Sequence, residues 1–249
     1  MPSLTEDLFA IGAGAQVVGV SQFTDYPPAA AKVPQVASFS SLDAERIVRL
    51  HPDVVVGIPS QAVLTADLRR AGLRTILMSD DGYDDIFGDL ATLGRLSGHA
   101  SEATALAARL RARTAQLVRR VPRDARPRAF VVLGIDPIFT VGQSSYIAHL
   151  LLLAGARNAA GDIGQAYARY SAEAMLALQP DVLIADKASG LAAALDRPPW
   201  NALRAVKAKR VYVVDDADLL ERPGPRYNDG LAWLIAKLHP NLLRKSGTP

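Results

Sequence analysis

Two glutamates occupy matching places in a pattern that this chain carries twice. Glu45 lies in LDAERIVRLHPDVVVG, and Glu173 lies 128 positions further along in YSAEAMLALQPDVLIAD. Each follows a good helix N-cap residue, Asp43 or Ser171, by two positions, which places its carboxylate in the positive first turn of a helix. There it can stabilise its own helix by about 0.3–1 kcal/mol. It can also form a bidentate, directional pair with an arginine of another molecule.

A second group of side chains suits a large, flat, amphipathic ligand. Aromatic residues make up only 6% of the chain, yet several fall in segments after strands or before helices, where α/β proteins form ligand sites. Aromatic faces would contribute about 25 cal/mol per Å² buried, and polar groups at the edge would contribute selectivity. A place in the core is the ordinary alternative for any one ring. The ligand-binding candidates are Phe23, Tyr26, Phe39, Phe139, Tyr146, Tyr167, Asp218 and Arg222.

The sequence carries no pattern typical of catalysis or metal binding. It has no nucleophile elbow, phosphate loop or dinucleotide fingerprint, since GAGAQVVG follows a helical segment instead of a strand. Cysteine is absent, and the four histidines include no pair at ligand spacing. His51 and His239 precede prolines at helix ends, which favours a structural role, while a haem or metal role for His149 is the alternative. We expect no catalytic residue, no metal, no cofactor and no enzymatic activity.

The composition of the chain narrows the range of possible functions further. The chain has 249 residues, 49% of them apolar, which is enough for one large domain or two lobes with their own cores. The net charge is only +3 and the 28 basic residues are scattered, so the sequence does not favour nucleic acid as a partner. The apolar stretch from Ile147 to Ala156 is too short to span a membrane, and the first residues do not form a signal peptide.

Short β-branched runs alternate with helical spacing along the chain. This alternation predicts an α/β fold with mainly parallel sheets covered by helices. In both repeated segments a helix ends before a Pro-Asp pair, and a short buried strand follows. The candidate strands are Val17–Val20, Val54–Gly57, Thr75–Met78, Ala129–Leu133, Val182–Ala185 and Val211–Val214.

The repeat predicts two α/β lobes joined by one long helix. The segment from Ser101 to Val121 has an apolar face and an arginine-rich face, and 21 residues of helix span roughly 30 Å. We therefore expect an N-terminal lobe at 1–100, a backbone helix at 101–122 and a C-terminal lobe at 123–249. In the second half the strand RAFVVLG precedes the helix near Ser145, whereas nothing precedes the matching helix near Ser3. We expect that the first lobe lacks its opening strand.

Five segments together resemble the substrate-binding proteins of ABC importers that have a rigid interlobe helix, the cluster that carries cobalamin, iron–siderophores and haem. In order, they are PSLTEDLFAIGAG, VVGVSQFTDYPP, AERIVRLHPDVVVG, GIDPIFTVGQSSYIAHLLLLAGARN and ERPGPRYNDGLAWLIAKLHP. Within the cluster, FTDYPP and IDPIFTVGQ are most similar to the cobalamin-binding members. The chain departs from their pattern with Phe39 and Tyr167 where tryptophans can occur, and Ile58 where another aromatic can.

The resemblance implies a protein that captures a cobalamin-type corrinoid between two lobes and delivers it to a membrane permease. It implies that Phe23, Phe39, Phe139 and Tyr167 contact the ligand, with Asp218 and Arg222 as a polar pair beside it. Glu45 and Glu173 are then expected to dock on arginines of the two permease subunits.

The resemblance also implies a periplasmic or membrane-anchored extracytoplasmic location, and we expect a monomer. A ferric siderophore or haem is the alternative ligand within this class. The alternative of another class is a cytoplasmic metal-chelate enzyme or sensor built on the same lobes.

Overall fold

The computed structural model describes residues 1–38, 40–79, 82–122 and 126–244, with the backbone alone at 243 and 244. The described residues form two compact units. Unit 1 draws its residues from 1–80, 84–111 and 222–225, and unit 2 from 81–83, 112–221 and 226–249. Both units combine helices with strands that pair mainly in parallel, so the predicted α/β class is confirmed.

Unit 1 contains four short strands arranged as two separate parallel pairs. Strand β1 pairs with β2, and β3 pairs with β4, with Val20 opposite Gln35 and Val55 opposite Thr75. Helices α1 and α4 pack against each other. The elements are α1 (Pro2–Ala10), β1 (Val20–Ser21), β2 (Gln35–Ala37), α2 (Ala44–Arg49), β3 (Val55–Gly57), α3 (Ala66–Arg70), β4 (Thr75–Leu77) and α4 (Asp85–Ser97).

The long helix α5 (Ala100–Val118) has 19 residues. Ala103, Leu106, Ala107 and Leu110 on its apolar face are buried. The helix ends at Val118, before the predicted end at Val121, because i→i+3 hydrogen bonds tighten the following residues into a turn. Units 1 and 2 divide within this helix, after Arg111. The division into ranges 1–100, 101–122 and 123–249 stays a prediction.

Unit 2 contains a four-stranded parallel sheet and a three-stranded antiparallel sheet. The strand orders are β11–β10–β5–β8 and β6–β7–β9. The strands are β5 (Arg128–Val132), β6 (Gly134–Ile135), β7 (Ile138–Val141), β8 (Arg157–Asn158), β9 (Tyr167–Arg169), β10 (Val182–Asp186) and β11 (Val211–Val214). The helices are α6 (Tyr146–Leu153), α7 (Ala172–Leu178), α8 (Arg204–Lys207), α9 (Asp218–Glu221), α10 (Tyr227–Leu238) and α11 (Pro240–Arg244).

The core of unit 2 explains why its central strands are almost purely apolar. Strand β10 lies between β5 and β11, so both its edges are hydrogen-bonded and both its faces are covered. Its Val182, Leu183 and Ile184 have no exposed surface, and Phe130 of β5 is likewise fully buried. A central strand of a parallel sheet therefore appears in the sequence as a continuous apolar run.

The predicted repeat is present in the local structure. Helices α2 and α7 are both capped by the side chain that the sequence indicates: Asp43 Oδ1 accepts from Arg46 N at 2.9 Å, and Ser171 Oγ accepts from Ala174 N at 3.0 Å. Each helix then reverses through a left-handed residue just before its Pro-Asp pair, His51 with φ 49° and Gln179 with φ 43°. These two residues are also 128 positions apart, so the same local geometry is built twice.

One predicted strand is largely wrong, and several short strands were not predicted. Of Val17–Val20, only Val20 lies in a strand, because the neighbouring strand β2 is three residues long and supports a short ladder. Strands β2, β6, β7, β8 and β9 have two to four residues each and carry too little periodicity to be read from the sequence.

Candidate functional site

The two repeated glutamates are exposed on their own units. Glu45 lies in the first turn of α2, its side chain is 89% exposed, and it makes a loose ion pair with Arg49 at 3.8 Å. Glu173 lies in the first turn of α7 and is also exposed. An ion pair between two exposed side chains is worth little, so Glu45 can exchange this contact for a partner's arginine at small cost.

The loop after β1 in unit 1 presents two aromatic side chains to solvent. Phe23 is 68% exposed and Tyr26 is 44% exposed. Phe23 has a φ of 65°, a conformation that non-glycine residues adopt rarely and that persists only where neighbouring contacts impose it. Thr24, between them, is buried. The rings of Phe23 and Tyr26 therefore point outward, while Thr24 between them is buried against the unit.

The side chain of Arg222 fixes the backbone of this loop. Its guanidinium donates to the Phe23 carbonyl oxygen at 2.7 Å, to Asp25 Oδ1 at 2.9 Å and to Glu6 Oε1 at 3.0 Å. The Arg222 side chain is 12% exposed and that of Glu6 only 2%. Arg222 was expected at the polar edge of the ligand, and the structure shows it fixing the loop that carries Phe23 and Tyr26. Glu6 and Asp25, which sequence reasoning missed, complete this arrangement.

In unit 2 the antiparallel sheet carries two more of the predicted aromatics. Tyr167 of β9 lies opposite Val141 of β7, and Phe139 lies two residues before Val141. Alternation along a strand therefore puts Phe139 and Tyr167 on the same face of the sheet as diagonal neighbours. Phe139 is 37% exposed and Tyr167 is half-buried. This face offers adjacent apolar rings on regular structure, which positions side chains more firmly than a loop does.

Tyr146 is a correction to the candidate ligand residues. It is the first residue of α6, after the N-cap Ser145, and it has no exposed surface. A ring without accessible surface cannot contact a ligand, so Tyr146 belongs to the core of unit 2. The predicted helix start near Ser145 agrees with the structure, but a local pattern does not show that the first ring of this helix points inward. Phe39 lies outside the described residues.

Asp218 begins α9 and takes part in an ion-pair group in unit 2. Arg226 contacts Asp216 Oδ2 at 3.1 Å and Asp218 Oδ2 at 3.7 Å, and the Asp218 side chain is 26% exposed. Arg226 was not among the candidates singled out from the sequence. The spacing of Asp216, Asp218 and Arg226 is the signal that could have indicated this group.

A polar and aromatic group in unit 2 surrounds His149. Its ring stacks on Tyr83 with centroids 4.4 Å apart and planes 3° apart, and Tyr83 Oη lies 3.1 Å from Tyr227 Oη. Tyr227 Oη is 2.6 Å from Thr114 Oγ1. Burial raises the pKa of the Tyr227 phenol, so this ring stays neutral and acts through hydrogen bonds. His239, by contrast, contacts the Ala154 carbonyl oxygen at 2.9 Å and is buried.

Two kinds of feature are absent from the described residues. Within them, no three histidine, aspartate or glutamate side chains are grouped closely enough to hold a metal ion. Among the helices of the described ranges, none combines the length and apolar character that crossing a bilayer requires.

Comparison with known proteins places these features in a family. The profile of the family described as "Periplasmic binding protein" matches residues 1–217. An uncharacterized ABC transporter substrate-binding lipoprotein of Bacillus subtilis, YvrC, is 28% identical over 254 residues, which cover 98% of this chain and 80% of that protein.

Two solved structures are also similar over almost the whole chain. The periplasmic vitamin B12 binding protein BtuF of Vibrio cholerae has a TM-score of 0.84 at 28% identity, covering 96% of this chain and 94% of that one. A periplasmic heme binding protein from Pseudomonas aeruginosa has a TM-score of 0.85 at 28% identity, covering 96% and 90%.

Proposed function

The chain belongs to the periplasmic binding protein family, and from this premise we propose that it captures a cobalamin-type corrinoid and delivers it to a membrane permease. More broadly, it is an ABC-importer substrate-binding protein of the class that carries vitamin B12, haem or siderophores. This is a family of binding proteins, so the alternative of a metal-chelate enzyme is not retained.

The observation that carries the corrinoid proposal is the presence of exposed aromatic surface on each unit. Phe23 and Tyr26 project from a loop held by Arg222 in unit 1, and Phe139 and Tyr167 share a sheet face in unit 2. A corrinoid is large and flat, with an apolar macrocycle and polar amides at its edge. Aromatic faces suit the macrocycle, and partly exposed polar residues such as Asp218 suit the edge.

Haem and ferric siderophores remain the second candidate ligands. Haem is favoured by the similarity to a haem-binding protein of Pseudomonas aeruginosa. The corrinoid is preferred because the exposed aromatics Phe23 and Phe139 provide stacking surface.

The test is calorimetric titration of the purified protein with cyanocobalamin, a ferric hydroxamate and haemin. We expect saturable one-to-one binding of cyanocobalamin and weaker or absent binding of the other two. Phe139→Ala should weaken cyanocobalamin binding about 10- to 100-fold, because a fully buried Phe contributes about 1.5–3 kcal/mol. Val63→Ala, which removes a side chain that is 85% exposed, is the matched control and should leave affinity unchanged. Binding of the hydroxamate or haemin without cyanocobalamin would contradict the corrinoid proposal.

We also propose the cellular setting in which the protein acts. It would work outside the cytoplasm, where the named relatives of this family are periplasmic proteins or lipoproteins. As a monomer it would dock on a permease dimer through Glu45 and Glu173, which are exposed at equivalent places on the two units. Each carboxylate would pair with an arginine of one permease subunit.

A further inference from the structure

Helices α2 and α7 differ in the charges that lie beside their repeated glutamates. Residues 43–51, around α2, include two acids, two arginines and a histidine. The matching residues 171–179, around α7, include one acid and no basic residue. The repeat therefore reproduces the glutamate but not its charged neighbours.

Arg49 shares an exposed face of α2 with Glu45. The two residues are one helix turn apart, and their side chains are 70% and 89% exposed. Arg49 Nη1 lies 3.8 Å from Glu45 Oε2. The counterpart of Arg49 in α7 is Ala177, which is exposed as well. One turn after its glutamate, α2 therefore presents a guanidinium group and α7 presents a methyl group.

Val48 adds apolar surface beside these two charges. It lies three positions after Glu45, which is neighbouring spacing on a helix, and its side chain is 41% exposed. Protein interfaces commonly combine an apolar centre with polar groups around it. We call the exposed surface formed by Glu45, Val48 and Arg49 the α2 face.

The stability of α2 gives little reason for Arg49. A cation in the last turn of a helix stabilises it modestly, and an exposed ion pair adds little more. Arg46 already supplies a cation in the last turn of α2. Helix α7 has no basic residue in its last turn, yet it forms with the same kind of N-cap hydrogen bond and the same left-handed reversal. The guanidinium of Arg49 is therefore available for a partner.

Docking at Glu45 would bring a second guanidinium close to Arg49. In the docking proposed above, a partner's arginine pairs with the Glu45 carboxylate, which already lies beside Arg49. Two guanidinium groups at one carboxylate repel each other, and more strongly where an interface excludes water. A carboxylate on the partner, placed against Arg49, would replace this repulsion by a second attractive pair. Ala177 carries no charge, so docking at α7 has no such requirement.

We propose that Arg49 is a second docking residue of unit 1, and that the α2 face binds a permease surface on which a carboxylate lies beside the arginine that receives Glu45. Glu45 pairs with that arginine, Arg49 pairs with the carboxylate, and Val48 packs between the two pairs. The surface around Glu173 receives an arginine alone. This role of Arg49 rests on the proposed docking of Glu45, and it makes the two docking contacts unequal in charge.

The test measures docking directly and does not depend on the transported ligand. Binding of the purified full chain to the permease dimer in lipid nanodiscs is followed by biolayer interferometry. Arg49→Ala should weaken docking about 5- to 10-fold, and Arg49→Glu at least about 20-fold, because the reversal places two carboxylates against each other. Both losses should shrink as salt is raised from about 0.1 M to about 1 M, where exposed charges are screened beyond about 3 Å.

A second background separates docking from a local effect of Arg49 on Glu45. If Arg49 only neutralised Glu45, Arg49→Ala would strengthen docking or leave it unchanged, and either result overturns the proposal. In a Glu45→Ala background, Arg49→Ala should still weaken docking, since its own pair with the partner is lost. The absence of a further loss there would also overturn the proposal. Lys187→Ala removes a cation from an ion pair of nearly equal exposure, 68% and 89%, and is the matched control that should dock normally.

Reversal of the glutamates distinguishes the role of Arg49 from the docking of the chain as a whole. If Glu45→Arg with Glu173→Arg abolishes docking while the Arg49 variants dock normally, only the role of Arg49 is overturned. If the double reversal docks normally, both the proposed docking and the role of Arg49 are overturned. The Tm of each variant should stay close to that of the unchanged chain, which shows that a loss of docking is not a loss of folding.

Discussion

At the scale of single residues, Arg222 connects the fold of unit 1 to its exposed aromatics. Its guanidinium reaches the Glu6 carboxylate, which is only 2% exposed, as well as Asp25 and the Phe23 carbonyl oxygen. Removing one partner of a buried charge pair commonly costs about 3–5 kcal/mol. Arg222→Met should therefore lower the free energy of unfolding by about 2–4 kcal/mol, a reduced figure because Asp25 is largely exposed.

Urea unfolding measures that change, and two further variants define its cause. Arg222→Lys keeps the charge but loses the forked geometry, so it should lie between Arg222→Met and the unchanged protein. Lys187→Met removes an exposed ion pair with Asp215 and should cost less than about 1 kcal/mol. Equal effects of Arg222→Met and Lys187→Met would show that Arg222 does not hold the loop.

Asp7 is a buried carboxyl group of unit 1 with a raised pKa. It is fully buried, and neither carboxyl oxygen has a hydrogen-bond partner among the described residues. Burial first, and then the nearby charges of Asp89 and Glu6, raise its pKa well above the ordinary value of 3.8. Because the folded state holds this proton more tightly, the stability that it confers is fully present below about pH 4 and is lost as pH rises toward the raised pKa.

Asp7→Asn tests this linkage because the amide has a similar shape and does not titrate. The free energy of unfolding of Asp7→Asn, relative to the unchanged protein, should increase by up to about 1.4 kcal/mol per pH unit above pH 4, until the raised pKa is passed. Chemical denaturation at pH 4, 5, 6 and 7 measures it. Asp67→Asn, at an exposed position, serves as the control for the loss of a carboxylate. A difference for Asp7→Asn that does not change with pH would refute the raised pKa.

At the scale of elements, the capped helices α2 and α7 set the direction of the repeated glutamates. Asp43→Ala and Ser171→Ala should each lower the free energy of unfolding by about 1 kcal/mol, because each removes an acceptor for an otherwise unpaired helix N–H. Thermal or urea unfolding checks this, with Ser171→Asp expected to retain stability. The exposed Ser40→Ala lies outside a helix and should change it by less than about 0.5 kcal/mol.

The same elements show how far sequence reasoning reaches. The helix caps, the Pro-Asp junctions and the strands β3 and β10 could be predicted because capping and turn chemistry depend on a few adjacent residues. The short strands β6, β8 and β9 could not, because pairing partners define them and two or three residues have no period. Val17–Gly19 were predicted as strand and are not, because strand formation depends on a pairing partner in the sheet, which a local pattern does not reveal.

The sequence indicated which types of residue could form the candidate site, but it indicated less well what each side chain does. Phe23, Tyr26 and Phe139 were singled out and are exposed, and their contact with a ligand stays a prediction. Tyr146 is buried, since one helix boundary decides which way its ring points. The contacts of Arg222 with Glu6 and Asp25 join residues about 200 positions apart, and such long-range pairing leaves no local signal.

At the scale of the whole molecule, the repeat gives each unit a matching acidic group. Glu45 and Glu173 follow the same type of cap and precede the same left-handed reversal, so each carboxylate occupies the same helix position on its unit. Removing either carboxylate should cost its unit little, since both are exposed and Glu45 makes one loose ion pair among the described residues. A partner with two related halves would match two such groups.

This duplication leads to a transport prediction. Charge reversal at both sites, Glu45→Arg with Glu173→Arg, should abolish ligand uptake while changing the affinity for the ligand less than twofold. Each single reversal should reduce uptake partially, because one carboxylate–arginine pair would remain. The measurement is uptake of labelled ligand by vesicles that contain the permease, paired with calorimetry on the isolated protein. Glu102→Arg with Asp196→Arg changes the charge equally at two other exposed positions and should transport normally. Unchanged uptake by the Glu45 and Glu173 double variant would mean that these carboxylates do not dock, whatever the ligand is.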